Sequence, residues 1–465
     1  MKDFNTLHRG QDNKFYFSDG TQLEAPLFSQ EIWNCEEAYK FAKIRGYEPM
    51  TAKELETEEQ QDEALNSEDY FIEEKFDGTR GILQFFSQEC IESGEIVDAI
   101  GWCRVFSRRI SKKTNFYTEN TDSVPQLRDI DVPSLDGTVL DGEMFINGRP
   151  FKDVSSTLNC LWDKAIDRQL ELGFISFHAF DIIKYKGIDL RKMPLHRRKE
   201  YLHLAIEEAN SPYIEEVTYQ SCGKEVCVCD YEDTHGHISD VYKSLKAKDL
   251  LDCYPTFSKE AEKGLSHDMV HLSPRAFYEY IVATGGEGVI VKPKNGKYRH
   301  KRGWEYSKIK KFLTRELILI GFDEPTREYK GKAPKNWAYY EGDTPVTKHY
   351  YNKQVGNMIL GVLITQEELD KIPKNKRGNL HQSVCVNIYD NDSVYVMEVC
   401  ECGGYDDETR AYFTRNQKKL VGSVIEVKAN EIFKDTGKLR HPRYLRMRYD
   451  KEAERCTWKD HIGGD

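Results

Sequence analysis

Apolar positions along the chain fall into short runs more often than into long one-sided stripes. Thr138-Val139-Leu140 leads into Met144-Phe145-Ile146, and residues 174–185 form another apolar, aromatic run of strand length, so both predict strands. Ser273-Pro274 has the form of a helix start, an N-cap followed by proline at the first helical position. Phe277/Ile281 and Tyr278/Val282 then repeat at i, i+4, and Gly285-Gly286 supplies the stop. That helix delivers the chain into Gly288-Val289-Ile290-Val291, a short buried-strand pattern. Near the start, Trp33, Tyr39 and Phe41 have loosely helical spacing. Beyond about Phe312 the pattern turns to β, with candidate strands at 317–321, 358–364, 384–389, 394–399 and 424–427 and a turn at Asp390-Asn391-Asp392. Short strands in such a series predict a small barrel with long loops, and a boundary near 312.

Length and composition narrow the class. A chain of 465 residues suits two to four domains. It is 31% charged and 39% hydrophobic, as a soluble globular protein is. No run of 18 apolar residues occurs, so no membrane span is expected. Met1-Lys2-Asp3-Phe4-Asn5 has no apolar segment behind a basic start, so no secretion signal is expected either. Twelve cysteines then read as reduced thiols in a cytoplasmic compartment.

The net charge of −11 excludes a wholly basic nucleic-acid coat but not a local basic groove. Residues 51–74 hold ten acids against one lysine, whereas residues 292–315 hold ten Lys/Arg against Glu305 alone. A basic run is often only a solvated face; Tyr298, Trp304 and Tyr306 inside this one favour a polyanion site.

Nucleotide loops of the common kinds are missing. Four Gly-Lys pairs begin at 223, 296, 331 and 437, none followed by Ser or Thr, and no Gly-x-Gly-x-x-Gly follows a strand. A different chemistry is offered by Glu73-Glu74-Lys75-Phe76-Asp77-Gly78-Thr79-Arg80. A lysine amine can attack phosphorus, glycine lets the backbone approach closely, and arginine can hold ribose or phosphate. Alone, this stretch reads by default as a solvated turn.

Further blocks follow in order: Asp141-Gly142-Glu143-Met144, Phe177-His178-Ala179-Phe180-Asp181-Ile182-Ile183, Glu287-Gly288-Val289-Ile290-Val291-Lys292, Tyr306-Ser307-Lys308-Ile309-Lys310 and Arg446-Met447-Arg448-Tyr449-Asp450-Lys451. Together the blocks resemble the covalent nucleotidyltransferase superfamily, most closely its ATP-dependent DNA ligases, across roughly residues 49 to 455. Lys186-Gly187-Ile188-Asp189-Leu190, Pro194-Leu195-His196-Arg197-Arg198 and Lys438-Leu439-Arg440-His441-Pro442-Arg443-Tyr444 add to the DNA-ligase likeness.

The resemblance implies an α+β chain. An N-terminal extension (1–48) would precede a nucleotidyltransferase (adenylation) domain of antiparallel sheets and helices (49–312, with an insertion near 208–270), and a C-terminal OB-fold β-barrel would follow (313–465, with an insertion near 323–352). It also implies that Lys75 takes AMP from ATP with Mg²⁺, passes it to the 5′-phosphate of nicked duplex DNA, and that the 3′-hydroxyl then expels AMP. Glu73 would read adenine and Phe180 stack on it; plain core packing is the alternative for Phe180. Arg80 would hold ribose or phosphate, Glu143 the ribose, and Asp77 would complete the lysine block. Lys292, Lys308 and Lys310 would face the phosphates, with Arg302 a looser match. Glu287, with Glu143, would be the metal ligand, a hard oxygen for a hard ion. Ser107-Arg108-Arg109 would grip the DNA backbone, and Arg448, Asp450 and Lys451 would orient the leaving pyrophosphate.

Cys222, Cys227, Cys229, His235 and His237 are not explained by the resemblance. Their ligand types suit zinc but their spacing fits no common site, so reduced cysteines in an inserted loop are expected. Only about fifty residues precede the matched core, too few for the helical DNA-binding domain of many cellular DNA ligases. A compact, monomeric enzyme of viral, phage or bacterial type, serving replication, repair or recombination, is the expectation. The competing readings are an RNA ligase or capping guanylyltransferase of the same superfamily, and a catalytically inert nucleic-acid-binding protein.

Overall fold

The computed structural model describes residues 2–25, 27, 49–92, 95–110, 117–220, 226–227, 232, 235–264, 271–299, 302–329, 337–381 and 394–463. Trp33, Tyr39, Phe41 and the strand candidate at 384–389 lie outside these residues. The chain divides into two compact units, Met1–Lys310 and Lys311–Asp465.

The first unit is built on strands β1 (Thr51–Glu54), β2 (Tyr70–Glu74), β3 (Thr79–Glu92), β4 (Glu95–Ile110), β5 (Val139–Phe145), β6 (Ser176–Tyr185), β7 (Gly288–Pro293) and β8 (Arg302–Lys310). One sheet has the central order β6-β5-β3-β4, all antiparallel, with Ile188–Asp189 and Tyr117–Glu119 at its edges and Ile214–Glu216 added parallel to β6. The other runs Tyr219–Gln220, β2, β7, β8, β1, antiparallel except for the last pair. The stretch read from sequence as an insertion thus supplies a strand to each sheet.

Strand alternation gives the second sheet two different faces. Ile72, Val289, Val291 and Ile309 join Phe277, Tyr280 and Ile281 in one buried cluster. Those last three belong to helix α3 (Pro274–Ala283), which starts as the sequence predicts: Ser273 Oγ accepts the Ala276 N–H, with proline at the first turn. Burying each such side chain is worth roughly 1.5–3 kcal/mol. On the other face, Ile290 and Tyr306 meet Ile82, Val139 and Ile183 of the first sheet, together with Met50 and Tyr298. Two further helices are α1 (Trp162–Leu172) and α2 (Leu195–Ala209). Phe4, Leu7, Phe15, Phe17 and Leu23 are buried against Ile166 of α1, so the N-terminal residues pack onto this unit.

The second unit holds β9 (Leu313–Phe322), β10 (Met358–Thr365), β11 (Val394–Cys402), β12 (Val424–Ala429) and β13 (Arg443–Arg448). Four of them carry strand candidates of the sequence. β13 does not; its alternating arginines read only as part of a block. The order is Leu380–His381, β11, β10, β9, β12, β13. A parallel bridge joins Gly403 to Arg443, where the Tyr444 N–H donates to Gly403 O at 3.0 Å, and draws the end of β11 to the start of β13. Helix α4 (Asp407–Leu420) connects β11 to β12 and buries Phe413 and Leu420 in the barrel core. This curled antiparallel sheet, nearly closed on itself, has the form expected of a small barrel.

Candidate active site

The inward faces of the two sheets in the first unit carry the charged residues of the sequence blocks. Glu73 and Lys75 leave the same side at the end of β2. Lys308 and Lys310 leave the same side of β8, and the register pairs Glu73 with Ile290, Ile290 with Lys308 and Gly288 with Lys310. The Lys75 N–H donates to Gly288 O at 2.9 Å, which extends the pairing one residue past the strand. Gly288 is required there: its φ is +133°, and a Cβ would lie 2.1 Å from Ile309 O. Gly78 is equally constrained, because a Cβ would lie 2.4 Å from Met144 O.

Glu287 joins the two lysines: one carboxylate oxygen pairs with Lys75 Nζ and the other with Lys310 Nζ. Burial acts to raise the Glu287 pKa, but the two ammonium groups outweigh it and hold the carboxyl below its usual range. Lys308 pairs with Glu54 at 3.3 Å, and burial, then the neighbouring Lys310, pulls its pKa down. Glu143 faces the same cluster. Burial pushes its carboxyl up to about 7, against the pull of Lys75 and Arg80 and with the help of Glu287.

Deeper in, Arg80 and Asp141 form a bidentate pair (2.7 and 2.6 Å), and the Tyr298 hydroxyl donates to Asp141 at 2.6 Å. The Arg80 guanidinium lies 4.6 Å from the Phe180 ring centre and 5.3 Å from that of Tyr306. Those rings are nearly parallel, 25° apart, with centres 6.1 Å apart. Lys292 Nζ approaches the same two rings at 4.5 and 5.1 Å. Phe180 is therefore part of a ring-and-cation slot and not of a purely aliphatic core. Glu73 closes the slot, fully buried and paired to Lys292 at 2.5 Å and to Lys199 at 2.8 Å. Burial pulls Lys292 down to about 8.

Not every residue expected at the site is gathered there. Arg302 is exposed at the other end of β8, with Trp304, whose ring carries Lys53 Nζ at 3.3 Å. Asp77 is exposed just past Lys75. Ser107 is buried and Arg108 exposed on β4, and the Arg109 side chain is outside the described residues. The basic run is thus split: Lys292, Lys308 and Lys310 turn inward to carboxylates, while Lys297, Arg299 and Arg302 face solvent. In the second unit Arg448 makes a bidentate pair with Asp450 (2.9 and 2.8 Å), and both Arg448 and Lys451 pair with Glu316.

Sequence reading gave no role to Asp141 or Lys199, and took Tyr298 and Tyr306 only as aromatics within a basic run. Asp141 had a signal, since it stands two residues before Glu143 and so leaves the same face of β5. His235, grouped with cysteines in the sequence, sits instead behind Lys75. Its Nε2 is 2.9 Å from Glu74, and its Nδ1 is 2.7 Å from Thr284 Oγ1, three residues before Glu287. Cys222 and Cys229 lie outside the described residues. Among those described, no group of three or more His, Cys, Asp or Glu could hold a metal ion.

A two-carboxylate set does fit a hard cation of the magnesium type, which commonly takes one or two protein carboxylates and fills its sphere with water and phosphate oxygen. Glu143 and Glu287 are such a pair.

Residues 49–228 match the family model described as ATP dependent DNA ligase domain. Over 157 residues the chain is 31% identical to the SPbeta prophage-derived DNA ligase-like protein LigB of Bacillus subtilis strain 168, covering 33% of this chain and 47% of that protein. Over 191 residues it is 27% identical to DNA ligase 4 of Kluyveromyces lactis, covering 38% of this chain and 20% of that protein. The matches therefore span less than half the length of these curated relatives. A solved Lig E DNA ligase is similar with a TM-score of 0.43 at 15% identity, over 86% of this chain and 98% of the other.

Proposed function

We propose that this chain is an ATP-dependent DNA ligase that seals nicks in duplex DNA through AMP carried on Lys75. The observation that supports it most is the convergence of Lys75, Glu287 and Lys310 on one point at the mouth of a slot lined by Phe180, Tyr306 and Glu73.

In this reading the adenine enters the slot beside Phe180, with its amino group towards Glu73. Arg80, held rigid by Asp141, lies where the ribose or α-phosphate would follow. Lys75 Nζ gives its proton to solvent and, as the neutral amine, attacks the α-phosphorus. The N–P bond forms as the bond to pyrophosphate breaks. Lys308 and Lys310 neutralise charge on the phosphates, and positioning supplies most of the remaining acceleration, as is usual in displacement at phosphorus. Glu287 and Glu143 would hold Mg²⁺, which when bound offsets phosphate charge. Arg448, Asp450 and Lys451, already one ion-paired group on the second unit, are assigned to the leaving pyrophosphate. AMP then passes to the nick 5′-phosphate, and the 3′-hydroxyl displaces it. Arg108 and Arg302, both exposed, are assigned to the DNA backbone, so binding weakens steeply with salt.

The test is a chase. Protein labelled from α-labelled ATP and freed of nucleotide is mixed with a nicked DNA duplex or the matching RNA duplex. Label should leave the protein, appear on the DNA 5′ end and then as free AMP, with sealing. Sealing of the RNA duplex alone would overturn the substrate assignment in favour of RNA joining, and labelling from GTP would favour capping.

A further inference from the structure

We infer that Lys199, which lies on α2 outside every sequence block, fixes the base-reading carboxylate of Glu73 and thereby sets which purine the slot accepts. The inference rests on the adenylylation reading above. A helix lysine ordinarily snorkels to solvent, and burying an ammonium is costly unless it is paired. Here α2 turns Arg198 and Lys199 inward along with Leu195, Leu202, Ala205 and Ala209. Arg198 is engaged bidentately with Asp181 at 2.7 and 2.8 Å. Lys199, with its side chain 0% exposed, reaches Glu73 Oε1 at 2.8 Å, while Lys292 of β7 takes Oε2 at 2.5 Å. One carboxylate is therefore held from two separate elements, one of them a helix that carries none of the reacting groups.

Such a carboxylate is held in one orientation. Its remaining lone pairs only accept, so it suits a base edge that presents an amino group and repels one that presents a keto oxygen. Without Lys199 one oxygen of the buried carboxylate loses its partner, and the group is free to turn about its remaining contact with Lys292. A carboxylate free to turn no longer presents a fixed acceptor to the base edge, so the slot should lose its preference while the reacting groups stay in place.

The experiment compares the concentrations of ATP, GTP and purine riboside triphosphate (which lacks the 6-amino group) that half-saturate label transfer to Lys75. Wild type, Lys199→Met and Lys199→Gln are measured with thermal midpoints alongside, and the Gln variant carries the result if Met disturbs folding. Wild type should favour ATP over the analogue by ~10-fold or more, the worth of a hydrogen bond to a charged group. In the variants that ratio should collapse towards one, GTP use should rise relative to ATP, and labelling at saturating ATP should persist. A ratio unchanged in both variants, with all three nucleotides weakened alike, overturns the inference and leaves Lys199 a packing residue. If wild type labels with none of them, the adenylylation reading fails first and the inference falls with it.

Discussion

Two ion pairs of the first unit are sealed between sheets and helices: Arg198–Asp181 is 1% and 2% exposed, and Lys199–Glu73 is 0% and 2%. In the second unit the matched cations stand at the surface, with Arg448 and Glu316 about one-fifth exposed and Asp450 69% exposed. Under the proposed function the contrast has a use. Sealed pairs cannot adjust to solvent, which suits groups that would hold one shape around a base. Surface pairs are cheap to rearrange, which suits residues assigned to a leaving group that must come and go.

The largest expected effect probes the sealed side. Asp181→Asn leaves Arg198 buried without its counter-charge, and unfolding by denaturant should show a loss of ~3–5 kcal/mol. A loss far below that would break the contrast. Next in size, Lys310→Ala should lower label transfer by ~10²–10³-fold, as for loss of one charge-stabilising donor, with little change in the denaturation midpoint.

A third prediction concerns acid. Burial holds His461 at about 4, with its Nε2 2.8 Å from Gly437 O in the second unit. The unfolded chain, with an ordinary histidine near ~6.5, takes up the proton first as pH falls. The stability from neutral His461 is therefore present above about 6.5 and lost progressively towards 4, on the order of 3 kcal/mol. His461→Gln should flatten that part of the pH–stability curve. Smallest on stability is Arg448→Ala, which should leave the melting midpoint unmoved. It should still slow label transfer from ATP while sparing the sealing of DNA supplied already adenylylated. A shifted midpoint would mean the surface pairs carry structure after all.

Much of this was legible because strand alternation writes itself into sequence. The runs around Val139, Phe177, Val289 and Met358 became strands β5, β6, β7 and β10, and the Ser273-Pro274 start became α3. Lys75, Glu287 and Lys310 stood in quoted blocks, and the register of β2, β7 and β8 brings them together. Lys199 was not legible, because a lysine in a run such as His196-Arg197-Arg198-Lys199-Glu200 reads as solvated helix surface. Only the packing of α2 shows which of those charges turns inward. His235 was misleading for a related reason: neighbouring cysteines suggested ligands, whereas its partners, Glu74 and Thr284, come from distant parts of the chain.

The central claim is that Lys75 becomes covalently adenylylated, and intact-mass measurement with peptide mapping tests it most directly. Protein first stripped with pyrophosphate, then given ATP and Mg²⁺ without DNA, should gain the mass of one AMP on the peptide containing Lys75. Lys75→Ala should gain none. No mass gain in the wild type, or AMP mapped to another residue with Lys75→Ala still modified, would contradict the account.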